Sequence, residues 1–202
     1  MVTALREVSV NTANITFNAA KTVCMFFKSK ESKTLATAVK MNGTCLTWET
    51  KFNYLGYTID SISKYCDDEE IRKRSRNLRI TANVLATRFL KTSNEVKQLL
   101  FKTYLSSVYF ISLWIPSTQM YKKAKVAHND CFRALFKIRG RHSISEEFVC
   151  NRVNTLDAVR RFSIHSLMCR INDSENEFVL AVRHCQTYYN SNLYKTWLNL
   201  IH

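Results

Sequence analysis

The spacing of apolar residues changes once along this chain of 202 residues, close to Ser61. Before that point, short β-branched and aromatic runs such as 23–27 and 45–48 predict strands. After it, apolar residues recur every three to four positions, which predicts amphipathic helices. The chain is therefore expected to have an α+β fold, in which a small antiparallel β region precedes a helical bundle and further C-terminal helices.

Turn-forming residues divide the predicted β region. The dipeptide Asn42-Gly43 predicts a tight hairpin turn between 39–41 and 45–48, because both residues tolerate positive φ. A further strand that contains Gly56 is predicted at 54–59. The remaining expectations are strands at 15–17 and 23–27, a loop at 28–33 and the end of a helix at 2–10.

Three helices joined by short turns are predicted between 63 and 142, and they suggest a bundle. Asp67 with Glu70, and Thr92 with Glu95, have the spacing of N-terminal caps at the starts of the first two helices. The predicted apolar faces are Ile71, Leu78, Ala82, Leu85 and Phe89 in the first helix, Val96, Leu99, Leu100, Tyr104, Val108 and Ile111 in the second, and Met120, Ala124, Ala127, Cys131, Leu135 and Phe136 in the third.

Helix ends and polar breaks then suggest how the chain is organised. Pro116 is expected to end the second helix, and Gly140 the third. Further helices are predicted at 146–153, 156–171 and 177–185, followed by an amphipathic segment at 188–202. The predicted domains are 1–62, 63–142 and 143–202.

Charge and composition narrow the possible partners. Thirty Lys and Arg against sixteen Asp and Glu give a formal net charge of +14, which favours nucleic acid as a partner. No apolar run approaches the ~20 residues of a membrane span, so no membrane partner is expected. Three glycines are too few for a dinucleotide-binding domain. The chain also has no signal-peptide pattern, and an intracellular location is expected.

The cysteines and histidines do not predict a metal site. The seven cysteines include no C-x-x-C pair and are expected to be reduced thiols. His128 with Cys131, and His165 with Cys169, have helical spacing. Neither pair has a second pair nearby that would complete a tetrahedral zinc site.

Two short motifs in the β region carry a family resemblance. They are Phe17-Asn18-Ala19-Ala20-Lys21-Thr22 and Phe52-Asn53-Tyr54-Leu55-Gly56. In this order, and beside strand-forming sequence, they resemble the "LxxNxxKT" and "YLG" elements that end the palm of LINE-type (non-LTR retrotransposon) reverse transcriptases. The resemblance continues through 101–114 and 129–145, and has least support after about Arg170. It assigns the three predicted domains to the end of the palm, the thumb and a helical extension.

The resemblance implies accessory roles for residues of both motifs. Lys21 would lie near the triphosphate, where its ammonium could assist the leaving pyrophosphate. The implied primer grip consists of Phe52, Tyr54, Leu55 and Gly56. The residues alone leave simpler alternatives open: Lys21 lies in a solvated turn capped by Asn18, and the apolar grip residues are sheet core.

Basic residues after the palm motifs are the predicted phosphate contacts. Arg72, Arg76 and Arg79 form an arginine stripe on one helix face. In the family, the thumb holds the phosphates of the RNA–DNA hybrid without reading bases. The alternative is a solvated helix face. The stripe is extended by Lys73, Arg74, Arg88, Lys91 and Lys97, and a second cluster contains Lys122, Lys123, Lys125, Arg133, Lys137, Arg139 and Arg141.

The catalytic aspartates of the family are not found in this sequence. Tyr65-Cys66-Asp67-Asp68 has the Y-x-D-D form, but it follows the lysine motif instead of preceding it. It continues into further acidic residues, so Asp67 and Asp68 are expected to begin a helix. The chain alone is therefore predicted to be inactive, and Mg²⁺ is implied only for the intact enzyme, whose ligands would lie in an N-terminal polymerase portion missing here.

The resemblance thus predicts part of an RNA-directed DNA polymerase that grips the primer and holds the hybrid. The expected partners are an RNA template, the RNA–DNA hybrid and the missing polymerase portion, and the implied location is the nucleus. Two alternatives remain open. One is a stand-alone basic nucleic-acid-binding module, and the other is a transposon remnant without a function.

Overall fold

A computed structural model describes residues 18–27, 38–41, 43–62, 67–138 and 143–201. Its contacts divide the chain into two compact units, Met1–Asp67 and Asp68–His202. Within the described residues, short strands precede eight α-helices, which confirms the α+β prediction. The predictions for 2–10, 15–17 and 28–33 lie outside the described residues, as do Phe17, Tyr65, Cys66, Arg139, Gly140 and Arg141.

The described part of the first unit contains short paired strands. They are β1 (Val23–Cys24), β2 (Lys40–Met41), β3 (Thr44–Cys45), β4 (Thr47–Trp48), β5 (Lys51–Tyr54) and β6 (Tyr57–Asp60). Strands β2 and β3 are antiparallel, with Met41 opposite Thr44 and Gly43 at φ 76°, which confirms the predicted hairpin. The strand predicted at 45–48 divides at the buried Leu46, because β4 pairs in parallel with β1.

The prediction of one continuous strand at 54–59 is wrong. Strands β5 and β6 form an antiparallel hairpin in which Tyr54 lies opposite Tyr57. Leu55 and Gly56 form its two-residue turn, with φ angles of 51° and 77°. Two positive φ angles are typical of a type I′ turn, whose twist matches that of the strands. The turn therefore explains the glycine, since no described atom lies within 4 Å of the position that a Cβ on Gly56 would take.

The second unit is helical in its described residues. Its helices are α1 (Asp68–Arg88), α2 (Asn94–Leu100), α3 (Gln119–Phe136), α4 (Ile144–Cys150), α5 (Leu156–Asn172), α6 (Glu177–Arg183), α7 (Gln186–Tyr189) and α8 (Asn192–Ile201). Helix α1 buries its predicted apolar face: Ile71, Leu78, Ala82 and Leu85 are buried. Phe89, beyond the helix end, packs partly buried against the same core.

The apolar face predicted for the second helix is confirmed only in part: Val108 and Ile111 are buried, and Leu100 packs partly buried against the core. The prediction is wrong for Val96, Leu99 and Tyr104, which are exposed. Lys97, Phe101 and Leu105 are buried instead, at a spacing of four residues. Helix α2 continues into a π-helical turn at Phe101–Leu105 and stops there, well before Pro116. Apolar residues occur on several sides of this segment, so periodicity alone could not identify the side that packs against the bundle.

Local backbone geometry also corrects two helix ends. Helix α2 follows Ser93, whose backbone is extended, and not Thr92. The Thr92 hydroxyl donates a hydrogen bond to the carbonyl oxygen of Phe89 at 2.9 Å. Helix α3 ends at Phe136 because Lys137 adopts the left-handed conformation at φ 57°.

Helix α5 is joined to the bundle by polar contacts. The Tyr121 hydroxyl donates to Asp157 at 2.7 Å, and Lys125 forms an ion pair with the same carboxylate. Buried Arg160 donates from Nε to the carbonyl oxygen of Trp114 at 2.9 Å. No helix in the described part of the chain is long and apolar enough to cross a membrane.

Aromatic rings from three segments meet in the centre of the second unit. Phe101, Phe132 and Phe148 are buried, with ring centroids 5.3 Å apart for Phe101 and Phe132 and 4.2 Å apart for Phe132 and Phe148. The imidazole of His128 stacks on Phe148 with an angle of 9° between the rings. Neither imidazole nitrogen has a hydrogen-bond partner among the described residues. Burial lowers the pKa of His128 to about 4.

This histidine predicts an acid-dependent loss of stability. The usual pKa of His is 6.5, so between pH 6.5 and 4 the unfolded chain binds a proton that the folded chain excludes. The contribution of His128 to stability is therefore fully present above pH 6.5 and falls by roughly 3 kcal/mol as the pH drops to 4. In urea unfolding, the loss of stability between pH 7 and pH 4 should be smaller by about this amount in His128→Leu than in the wild type. Equal losses in the two proteins would contradict the prediction.

Candidate nucleic-acid interface

An open groove of 590 Å³ lies between α1 and α3. The arginine stripe of α1 lies on one side of it, and Lys122 and Lys123 of α3 lie on the other. The structure thus brings together parts of two basic clusters that are about 50 residues apart in the sequence. We call these five side chains the groove cations.

The α1 side of the groove follows from helical geometry. Arg72, Arg76 and Arg79 are spaced i, i+4 and i+7, so they share a face, and all three are exposed. At a rise of about 1.5 Å per residue, they span ~10 Å along the helix axis. On one strand of nucleic acid, where charges recur every ~3.4 Å, this length corresponds to about three phosphates.

The groove cations have no acidic partners in the described structure. None of the five forms an ion pair among the described residues, and no acidic residue lines the groove. Like charges on opposite sides of a groove repel each other, and a bound anion would relieve that repulsion. The arrangement therefore favours a polyanionic ligand over a purely structural role.

Other predicted phosphate contacts are engaged elsewhere. Lys73 and Arg74 lie 3.8 Å and 2.6 Å from carboxylate oxygens of Glu70, which is fully buried. Lys125 pairs with Asp157. The positive charges of these three residues are therefore partly neutralised, and none of the three lines the groove.

The remaining predicted phosphate contacts also lie outside the groove lining. Arg88 and Lys91 are exposed at and beyond the C-terminal end of α1, and Lys97 is buried. Arg133 and Lys137 likewise do not line the groove, although both belong to the predicted second cluster.

The floor of the groove contains residues that sequence analysis did not select. Ser75 lies on the core face of α1 and is only 8% exposed, yet it lines the groove. Its hydroxyl makes no hydrogen bond with any residue in the described ranges and is open to the solvent of the groove. Gln119, Met120 and Val126 of α3 complete the lining. The sequence signal that could have identified Ser75 is a small polar residue on the otherwise apolar face of the first helix.

The lysine motif forms a capped turn. The amide N–H of Ala20 donates to Asn18 Oδ1 at 3.0 Å, and the Thr22 hydroxyl donates to the Asn18 carbonyl oxygen at 2.8 Å. Lys21 ends this turn and is exposed. This geometry is that of a solvated turn capped by Asn18, as in the simpler alternative. The accessory role of Lys21 near the triphosphate stays a prediction.

The predicted primer grip lies on the β5–β6 hairpin. Phe52 is half-buried, whereas Tyr54 and Leu55 are 57% and 68% exposed at the tip, so these two are not sheet core. Leu55 holds a positive φ that a branched side chain rarely adopts. The tip thus presents two large apolar side chains to solvent, and its role as a grip stays a prediction.

Of the Y-x-D-D sequence, the structure describes Asp67 and Asp68, which lie at the start of α1. Asp67 immediately precedes α1, and Asp68 is in the first turn of that helix. Asp67 accepts a hydrogen bond from the Tyr57 hydroxyl. Among the described residues, no three His, Cys, Asp or Glu side chains converge in a way that could hold a metal ion.

No protein-family model, curated protein or solved structure matches this chain.

Proposed function

We propose that this chain binds nucleic acid by its phosphate backbone in the groove between α1 and α3. The observation that carries the proposal is the convergence of the five groove cations, none of which forms an ion pair with a described residue. Charged contacts to phosphates supply most of the affinity of sequence-independent binding. Among the described residues, no aromatic side chain on which a base could stack lines the groove. Binding should therefore depend little on base sequence.

The biological setting we propose is the nucleic-acid-holding part of a LINE-type RNA-directed DNA polymerase. The order of the lysine motif, the Tyr-Leu-Gly element and a basic helical unit supports it. In this setting, the groove holds an RNA template or RNA–DNA hybrid in the nucleus, and the hairpin tip grips the primer. The Mg²⁺ ions and catalytic aspartates would belong to the polymerase portion that this sequence lacks.

One observation favours a second candidate, a stand-alone nucleic-acid-binding module. Every residue that lines the groove belongs to the helical unit from Asp68 onward. None of the palm-like residues that the structure describes contributes to the groove. Both candidates bind nucleic acid through the same surface. An assay of primer extension by the intact polymerase, reconstituted with this chain, would distinguish a polymerase part from a stand-alone module.

Chemical footprinting tests the location of the binding surface. Bound oligonucleotide should protect Lys122 and Lys123 from acetylation, whereas Lys102 and Lys195, exposed outside the groove, should react as in the free protein. Mass spectrometry of the full chain, with and without a 12-nucleotide single strand, measures this protection. Equal reactivity of all four lysines in the free and bound protein would contradict the proposal.

A further inference from the structure

The size of the groove limits what can enter it. Its volume is 590 Å³, within the range of pockets that hold a single small ligand. A whole duplex is too large for that space, whereas a short stretch of one sugar–phosphate chain can enter it. Cations on both sides would then contact the same row of phosphates.

The floor of the groove offers an uncharged hydrogen-bond donor, the hydroxyl of Ser75, in addition to the groove cations. Ser75 occupies the core face of α1 between Ile71 and Leu78, where an apolar side chain would fill the space. Its hydroxyl is without a hydrogen bond to any described residue, although the residue is more than nine-tenths buried. The hydroxyl faces the solvent of the open groove, so it can donate a hydrogen bond to a ligand that enters the groove.

We propose that the groove seats one strand of nucleic acid, whose phosphates lie between the two sets of groove cations and accept a hydrogen bond from the Ser75 hydroxyl. This inference rests on the proposed function and adds the ligand class and a residue outside the basic clusters. The strand is either free or one strand of a duplex that lies across the groove. Ser75 is a binding residue that limits how deeply the strand can enter.

Two variants of Ser75 test the floor contact in the full chain. Ser75→Ala removes the hydroxyl and keeps the space, so the Kd for a fluorescent 12-nucleotide single strand should rise about tenfold. The dependence on salt should not change, because the lost contact is neutral. Ser75→Leu fills the floor and should weaken binding further. Ser166→Ala, at an exposed position of α5, is the matched control and should bind like the wild type.

A duplex with uncharged methylphosphonate linkages tests the number of strands in contact. If the groove contacts the phosphates of only one strand, uncharged linkages in either strand should weaken binding only about twofold, because the other strand still offers its phosphates. Neutralising both strands should abolish binding. This measurement does not depend on the folding of a variant.

The inference is overturned if Ser75→Ala binds within twofold of the wild type, or if neutralising one strand is as damaging as neutralising both. Failure of the proposed function would give different results. The wild type would then not bind the 12-nucleotide strand, or substitution of Arg72, Arg76 and Arg79 would leave its binding unchanged.

Discussion

Replacing Arg72, Arg76 and Arg79 together with glutamine should weaken binding of a single-stranded oligonucleotide roughly 100-fold or more at low salt. Each arginine lost removes about 1–1.5 kcal/mol of charge-assisted contact with phosphate. Glutamine keeps the helix propensity of α1, so the fold should be retained. Fluorescence anisotropy measures the affinity, and circular dichroism checks the fold.

A charge-matched control separates the groove from net charge. Arg161, Arg170 and Lys195 are exposed on α5 and α8, outside the groove lining. Replacing these three with glutamine lowers the net charge by the same amount and should change the affinity by less than about fivefold. Equal losses in the two triple variants would show that the positive field of the whole protein, and not the groove, attracts the ligand.

Phe101→Ala should destabilise the protein by about 3–5 kcal/mol. The Phe101 ring is fully buried, with its centroid 5.3 Å from that of Phe132 and 6.1 Å from that of Phe148. Truncation would leave a cavity where α2, α3 and α4 meet. Because small domains are stable by only about 5–15 kcal/mol, this loss should lower the urea midpoint markedly.

Leu99→Ala is the matched control for the core. Leu99 belongs to the apolar face predicted from periodicity, yet it is 65% exposed. Its truncation should therefore change the free energy of unfolding by no more than about 0.5 kcal/mol. A larger loss for Leu99→Ala than for Phe101→Ala would mean that α2 packs by the face predicted from sequence.

Helices α1 and α2 show when the periodicity of apolar residues is sufficient to predict which face of a helix is buried. In α1, the predicted apolar residues share one helical face and the arginine stripe lies on another, and Ile71 and Leu78 are buried as predicted, although Ile80 and Val84 are exposed. In α2, leucines and aromatics occur on several sides, and a π-helical turn at Phe101–Leu105 alters the spacing. The choice there depends on the partner helices, which local sequence does not specify.

The candidate site could be predicted only in part. The arginine stripe is visible in the sequence because its three members recur on one helical face. Its convergence with Lys122 and Lys123 depends on the packing of α1 against α3, which no local pattern encodes. The hairpin at Leu55-Gly56 was missed because leucine replaces the Asn or Asp that usually marks such a turn.

The dependence of binding on salt tests the central claim most directly. If five groove cations each neutralise a phosphate, log K should fall against log salt with a slope of about −3.5 for a single strand. The triple arginine variant should lower the magnitude of that slope by about 2, because three of the five contacts are lost. A slope close to zero, or the same slope in both proteins, would contradict the claim that phosphates bind in this groove.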